Sequence, residues 1–286
     1  MLVRPLPLLD FFVVLVMLSI GMRVSGGELL GVLRNRALFT KTLLANCVLI
    51  PAIGLLLVKI FPLTPDATVG ILLLAAIPGT PIALQFTRMA KERLAVAAVM
   101  TFVLSVISIA MAPLAVEVMP QVAHHSQRPL LNLTISILLY IATPLCAGLW
   151  MARCVPKIAT QLVLPFEILA TAVFLFLMWE TRMARREALL AIAGRGTLLA
   201  MFLLLVISML IGWFTGGPDC DSRRVLATTT GMRSVIVVLY IARYCFPGTN
   251  IYMVPIVYVS LMVPTNLLFH LAFTGWRKLR PSPVRA

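Results

Sequence analysis

The sequence predicts an all-α membrane protein with several membrane-spanning helices, and three observations support this fold class. Of the 286 residues, 61% are apolar and only 12% are charged, whereas soluble globular domains average about 45–50% apolar and about 25% charged residues. The mean hydropathy is +1.03. Apolar segments of about 20 residues, the length that a helix needs to cross the hydrocarbon core, recur along the whole chain.

Nine segments are predicted to span the membrane. They are residues 8–24, 38–59, 67–87, 94–117, 129–152, 159–179, 187–215, 225–246 and 250–274. Asp10 interrupts the apolar run of the first segment, no small-residue cleavage motif follows it, and eight further spans come after it. We therefore expect a true span here rather than a signal peptide.

The basic residues predict the orientation of these spans. If the N-terminus lies outside the cell, most of the 24 Lys and Arg residues fall in segments that face inward. The positive-inside rule then places the N-terminus outside and the basic tail, residues 276–286, in the cytoplasm of a multi-pass cell (inner) membrane protein. Because basic loops are ordinary topology signals, the formal charge of +14 does not indicate a nucleic-acid partner.

Two of the spans are interrupted near the middle of the membrane. The third contains Pro78, Gly79 and Pro81, and the eighth contains the sequence TTTGMRS at residues 228–234. A proline within a helix removes a backbone hydrogen bond, and the freed groups find no water in hydrocarbon. Either the proline only bends its helix, or the break lines a cavity. A matching pair of broken helices in two halves of a chain favours the binding site of a secondary transporter.

Catalytic and metal-binding chemistry is not indicated. The sequence has no H-E-x-x-H or G-x-S-x-G motif and no group of aspartates within a span. The five cysteines are scattered without paired spacing, which argues against a disulfide framework or a zinc site. We therefore expect no enzyme activity, no catalytic residue, no cofactor and no metal.

A few polar residues lie within the spans, and each is a candidate functional residue because polar groups are costly in hydrocarbon. They are Asn46, Glu167, Arg233, Asn266 and His270. Asn266 is interpreted as a partner for the backbone that Pro264 frees, and His270 as a capping or snorkelling residue near the inner end of its helix. Three roles are open for Glu167: a counter-ion for Arg233, a proton carrier, or a buried carboxylate without a role in transport.

Three segments of the chain resemble the bile acid:sodium symporter family. They are IGMRVSGGEL (20–29), AAIPGTPIALQFTRMAKERLAVAAVMTFVLS (75–105) and TTTGMRSVIVV (228–238). The resemblance implies an inverted-repeat transporter fold in which two broken helices cross, and a panel domain that rocks against a core. It implies four spans in the first repeat, about residues 8–118, and five in the second, about residues 129–275.

The resemblance also implies the positions of two sodium sites, where this chain departs from the family. The positions of the first site are Ala83, Leu84, Ala97, Thr101 and Thr229, and only Thr101 keeps the family's chemistry. The second site maps to Asn46, Thr229, the carbonyls of Thr230 and Met232, and Arg233. A carboxylate is lost and an arginine gained. Arg233 is therefore expected either to replace the ion as a tethered cation or to bind the negative charge of the substrate.

These inferences define the expected site and function. The predicted substrate- or ion-binding residues are Pro78, Gly79, Thr80, Thr101, Asn46, Thr229, Thr230, Gly231, Met232, Arg233 and Ser234, with Glu167 as the coupling or counter-ion candidate. The expected function is sodium-independent transport of a small organic anion across the lipid bilayer by alternating access, either secondary active or facilitative. The alternatives are a membrane sensor or scaffold that does not transport, or an exporter of a neutral or oxyanionic solute. The sequence gives no indication of the oligomeric state.

Overall fold

The computed structural model describes residues 7–23, 36–79, 83, 94–118, 130–184, 187, 190, 192, 194 and 196–279. Two of the helices contain a π-helical turn, and each of these is treated as one helix. The helices are α1 (Pro7–Arg23), α2 (Arg36–Leu44 and Ile50–Ile60, joined by the π-helical turn Ala45–Leu49), α3 (Pro65–Ala76), α4 (Leu94–Val118), α5 (Leu130–Ile137 and Thr143–Cys154, joined by the π-helical turn Leu138–Ala142), α6 (Pro156–Ala184), α7 (Thr197–Thr215), α8 (Cys220–Gly231), α9 (Val235–Cys245) and α10 (Met253–Leu279).

The prediction of an all-α multi-span membrane protein is confirmed. The described part of the chain is helical and contains no strand. Seven of its helical segments are long and apolar enough to cross a membrane, with α8 and α9 together forming one of them. The shorter α3 is the first half of the third predicted span.

Two predicted boundaries need correction. The seventh span was expected to begin at residue 187, but α7 begins at Thr197, because Gly196 adopts a left-handed conformation (φ +81°) that stops the helix before it. Residue 192 is helical, but it lies before this turn. The last helix, α10, continues to Leu279, so the first residues of the predicted basic tail are helical.

The helices pack in two groups. In the first group, called the panel below, α1 packs against α5 and α6. Gly21 of α1 and Gly148 of α5 each face the backbone of the other helix so closely that a Cβ atom would not fit. Small residues allow this kind of close backbone packing between membrane helices. In the second group, called the core below, α7 packs against α8, α2 packs against α3, and α10 contacts α3, α7 and α9.

The panel meets the core mainly through α4 and α9. Helix α1 contacts both of them, and α5 contacts them as well. The rings of Tyr140 on α5 and Tyr240 on α9 lie 5.9 Å apart at this boundary. The second broken span, Cys220–Cys245, is buried throughout its apolar window. The broken backbone is therefore enclosed by protein, which is where irregular backbone is tolerated in a membrane.

Helices α3 and α8 have the same local architecture. Each is 12 residues long and begins with a side-chain cap, since Thr64 Oγ1 accepts from Ala67 N and Asp219 Oδ2 accepts from Ser222 N. Each is followed at once by an extended residue, Ile77 after α3 and Met232 after α8. Two helices that start and stop alike at such distant places in the chain fit the paired breaks expected from the sequence.

Candidate functional site

The two breaks meet directly. The backbone N–H of Ser234 donates to the carbonyl of Ile77 at 3.3 Å, so the extended segments that follow α3 and α8 are hydrogen-bonded to each other. Pro78 and Gly79 are buried beside this contact. Gly79 has φ +80°, and a Cβ atom there would lie 2.8 Å from Leu104 Cβ. Both the backbone conformation and the space therefore require glycine at this position.

Pro78 determines which backbone group is free at the end of α3. In a regular helix the carbonyl of Leu74 would accept a hydrogen bond from residue 78, but proline has no N–H to donate. Arg233 Nε donates to this carbonyl at 2.8 Å, and Arg233 Nη2 donates to the next carbonyl, Ala75 O, at 2.5 Å. The arginine from the second break thus caps the half-helix that the first break ends.

Asn46 completes the shell around the guanidinium. Its Oδ1 accepts from Arg233 Nη1 at 2.8 Å, while its Nδ2 donates to Thr42 O at 3.0 Å and to Thr230 Oγ1 at 3.4 Å. Asn46 lies in the π-helical turn of α2, five residues before Pro51. Three helices from both halves of the chain therefore contribute to one polar centre.

The charge at this centre is unusual. Arg233 is fully buried, and its hydrogen-bond acceptors are two carbonyls and one amide oxygen rather than a carboxylate of the described chain. The C-terminal end of α3 carries a partial negative charge from the helix dipole, which favours a cation there. The acceptors of the guanidinium are therefore backbone carbonyl and side-chain amide oxygens, which also occur among the oxygen ligands of hard metal cations.

Other predicted residues on α8 and at the second break are held by local hydrogen bonds. Thr229 Oγ1 donates to Val225 O at 2.9 Å within its own helix. The carbonyl of Gly231 accepts from the Tyr258 hydroxyl at 3.0 Å. The N–H of Met232 donates to Thr228 O at 2.9 Å. The structure thus brings Asn46, Thr230 and Arg233 together but turns the Thr229 hydroxyl back into α8.

The positions of the first implied sodium site are partly described. Ala83 and Ala97 are completely buried and offer no side-chain oxygen. Thr101 Oγ1 is buried without a hydrogen-bond partner in the part of the chain that the structure describes. The predicted residue Thr80, and Leu84, lie outside the described residues.

Glu167 contacts a different arginine from the one considered in the sequence. Arg23, the last residue of α1, donates from Nε to Glu167 Oε1 at 2.5 Å and forms an ion pair with it through Nη2. The counter-ion role toward Arg233 is therefore corrected, because Arg233 lies in the core with other partners while Glu167 lies on α6 of the panel. Both partners of the observed pair belong to the panel and connect α1 with α6.

Three polar residues of α10 are buried on one face of the helix. Tyr258, Asn266 and His270 are at most 5% exposed and lie at a spacing of four or eight residues, so they share one face of the helix. His270 Nε2 lies 3.0 Å from Thr228 Oγ1 on α8. The interpretation of His270 as a snorkelling residue was therefore wrong. The i, i+4 spacing of these polar residues was the signal in the sequence that could have placed them at a buried contact.

The interpretation of Asn266 is also corrected. Its Nδ2 donates to Met262 O at 2.9 Å. The carbonyl that would accept from residue 264 in a regular helix is that of Ser260, four residues before the proline. Asn266 therefore bonds its own turn of the helix rather than the site of the proline.

A comparison with protein families identifies this architecture. The family model described as Sodium Bile acid symporter family matches residues 10–211, which include α1, Asn46 and the first break. A comparison with curated proteins finds no match. The family match covers well over half of the chain and confirms the resemblance, although the third segment, residues 228–238, lies outside the matched range. The chain therefore belongs to the sodium bile acid symporter family, a family of membrane transporters.

Proposed function

We propose that this protein transports a small organic anion by alternating access and does so without sodium. The observation that supports the proposal best is the guanidinium of Arg233, which lies at the crossing of the two breaks and donates to Leu74 O, Ala75 O and Asn46 Oδ1. These oxygen atoms surround a positive charge that belongs to the protein itself. These oxygen atoms therefore do not need a mobile cation as their partner.

Electrostatics supports the same conclusion. Relative to the family pattern, Thr229 replaces a carboxylate and Arg233 replaces a neutral amide, so the second implied site is two charges more positive. Two positive charges a few ångströms apart repel strongly where water is scarce. Because Arg233 is completely buried, a sodium ion at this place would have little solvent to screen that repulsion.

The packing of the helices supports an alternating-access mechanism. The panel is held together by close α1–α5 packing and by the Arg23–Glu167 ion pair, whereas its packing against α4 and α9 of the core is sparser. A compact panel can move against the core as a unit, as hinge and shear motions require. We further propose a cell-membrane location with the N-terminus outside, which is based on the distribution of the 24 basic residues.

The test is solute counterflow in proteoliposomes. Vesicles would be loaded with one unlabelled monocarboxylate and diluted into trace amounts of its labelled form, with sodium, potassium or choline as the only cation. We expect the wild-type protein to exchange solute at the same rate in all three salts. Protein-free vesicles are expected to show no such carrier-mediated exchange. A steep dependence of the rate on sodium concentration would refute the sodium-independent mechanism.

A second arm of the same experiment addresses coupling. Gradient-driven uptake would be measured with and without an inward proton gradient, at equal salt on both sides. Accumulation above the outside concentration only with the gradient, and above the level reached in protein-free vesicles under the same gradient, identifies a proton-coupled transporter. Equilibration to equal concentrations under both conditions identifies a facilitative one.

A further inference from the structure

A small cavity lies between the panel and the core, near the ends of the helices where α1 begins and α9 ends. Its walls include Phe12 of α1, Phe174 of α6, Leu239 and Arg243 of α9, and Tyr252 and Ile256 from the start of α10. Phe12 and Phe174 are stacked with their ring centroids 5.4 Å apart. The free volume is about 20 Å³, which is space for about one water molecule. The cavity is nearly closed in this conformation.

Among the described residues that line this cavity, Arg243 carries the one basic side chain. It is partly buried, and within the described ranges it makes no hydrogen bond or ion pair. Its guanidinium lies 5.8 Å from the centroid of the Tyr252 ring. An arginine has five N–H donors that suit a carboxylate. A partly desolvated guanidinium without an acceptor, beside apolar walls, is therefore suited to bind an anion that also carries an apolar group.

Asp10 on α1 is near enough to Arg243 for the two charges to interact across the boundary between panel and core. The two charges attract each other electrostatically, although they form no close ion pair. The attraction links a residue of the panel to the arginine of the core that lines the cavity. An anion that binds Arg243 would therefore compete with Asp10 for the same charge.

We infer that Arg243 is the anion-binding residue of a substrate subsite, and that the subsite takes a monocarboxylate whose apolar body packs against Phe12 and Phe174. This inference rests on the proposed function only in that it assigns the transported anion to this cavity. Arg243 fits this role better than Arg233, since Arg233 is fully buried and already donates to three protein oxygens. Binding of the carboxylate weakens the Asp10–Arg243 attraction and so favours separation of panel and core.

The experiment measures binding and transport separately. The probes are straight-chain monocarboxylates from acetate to decanoate, with hexanol as a neutral control, and the protein is the full chain in nanodiscs of zwitterionic lipid. We expect the affinity to rise roughly fourfold with each methylene, as burial of apolar surface requires, and hexanol to bind much more weakly than hexanoate. In vesicles the same carboxylates are tested by counterflow.

Four variants make the test specific. Arg243→Gln is expected to weaken hexanoate binding by about tenfold to a hundredfold, the range for a lost charge-assisted hydrogen bond, and Arg243→Lys is expected to fall between this variant and the wild type. Asp10→Asn is expected to tighten binding, because it removes the competing carboxylate. Arg153→Gln serves as the control, since Arg153 is exposed at the end of α5, and it is expected to bind like the wild type.

The outcomes separate this inference from the proposed function. If binding depends on Arg243 but no carboxylate is exchanged across vesicles, the subsite stands and the transport proposal fails. If carboxylates are transported but Arg243→Gln leaves both binding and the KM of transport unchanged, the subsite is refuted and the transport proposal stands. The inference also fails if no carboxylate binds, if Asp10→Asn weakens binding, or if an anionic phospholipid alone competes for the site.

Discussion

Arg233 Nε donates to the carbonyl of Leu74 at 2.8 Å, and this is the carbonyl that Pro78 leaves without a helical partner. Pro78, which follows α3, and Arg233, which follows α8, are therefore complementary. The proline exposes an acceptor at the negative end of a helix dipole, and the arginine supplies the donor and the charge. The break that follows α3 is thus stabilised by a side chain from the break that follows α8.

The first prediction concerns the stability contributed by this contact. Arg233→Gln is expected to lower the free energy of unfolding by about 2–5 kcal/mol, because it leaves buried carbonyls without donors. Arg233→Lys is expected to lie between this variant and the wild type, since one ammonium cannot reach three acceptors in the geometry of a guanidinium. Thermal unfolding of the purified protein in detergent measures the difference.

Arg153→Gln is the matched control for this prediction, because the same substitution is then made at an exposed arginine. We expect it to change the stability by no more than about 0.5 kcal/mol. A wild-type melting temperature in Arg233→Gln would mean that the cost of burying the guanidinium equals the strength of its hydrogen bonds.

The second prediction concerns Gly79, where backbone conformation and packing both exclude a side chain. Gly79→Ala is compared with Gly248→Ala, since Gly248 has a similar φ of +84° but no atom within 4 Å of an added Cβ. The left-handed conformation costs about 1–2 kcal/mol in both variants, and overpacking adds about 1–3 kcal/mol at Gly79 alone. The difference between the two melting temperatures isolates the packing at the crossing. Equal losses would show that the chain around Leu104 adjusts freely.

The third prediction concerns the Arg23–Glu167 ion pair of the panel. A double-mutant cycle with Arg23→Gln and Glu167→Gln is expected to give a coupling energy of about 0.5–3 kcal/mol, because both side chains are only 16% exposed. The corresponding cycle between Arg233 and Glu167 is expected to be additive within about 0.5 kcal/mol. Thermal or denaturant unfolding of the six proteins provides the free energies.

Transport by Glu167→Gln distinguishes a structural carboxylate from a proton carrier. If the ion pair only holds α1 against α6, this variant keeps both counterflow and any response to a proton gradient. Loss of the gradient response with intact counterflow would instead identify Glu167 as the group that carries the proton, in spite of its contact with Arg23.

The parts of the fold that could be predicted from the sequence are those that depend on properties of neighbouring residues. Hydropathy predicted the membrane helices because each span must be apolar over its whole length, and proline and glycine predicted the first break because their backbone properties are local. The start of α7 was predicted ten residues too early. The residues before Gly196 include apolar ones that hydropathy joins to the span. The left-handed conformation of Gly196 separates them from α7.

The partners of the buried charges have no such local cause. Arg233 and Asn46 are 187 positions apart, and only the resemblance to a transporter family suggested their contact. One of the three roles left open for Glu167 paired it with the wrong arginine, because composition does not show that Arg23, at the end of α1, lies beside α6. No sequence pattern connected Asp10 with Arg243 either. Asp10 lies near the start of α1 and Arg243 near the end of α9, and the two charges come near each other only when the panel packs against the core.

The last prediction tests whether Arg233 takes the place of a cation. The double variant Thr229→Glu/Arg233→Gln restores the family's carboxylate and amide, and it frees Asn46 Oδ1 and the carbonyls of Leu74 and Ala75 from the guanidinium. Sodium binds to several oxygen ligands of this kind, so we expect its addition to raise the melting temperature of the double variant. A ligand at one hundred times its Kd stabilises a protein by about 2.7 kcal/mol. Potassium at the same concentration is the control for ionic strength.

The wild type is expected to melt at the same temperature in both salts, because its own cation already occupies these oxygens. Arg233→Gln alone is expected to respond less than the double variant, because it lacks the carboxylate. Stabilisation of the wild type by sodium alone would show that a cation site exists beside Arg233, and the sodium-independent mechanism would have to be abandoned.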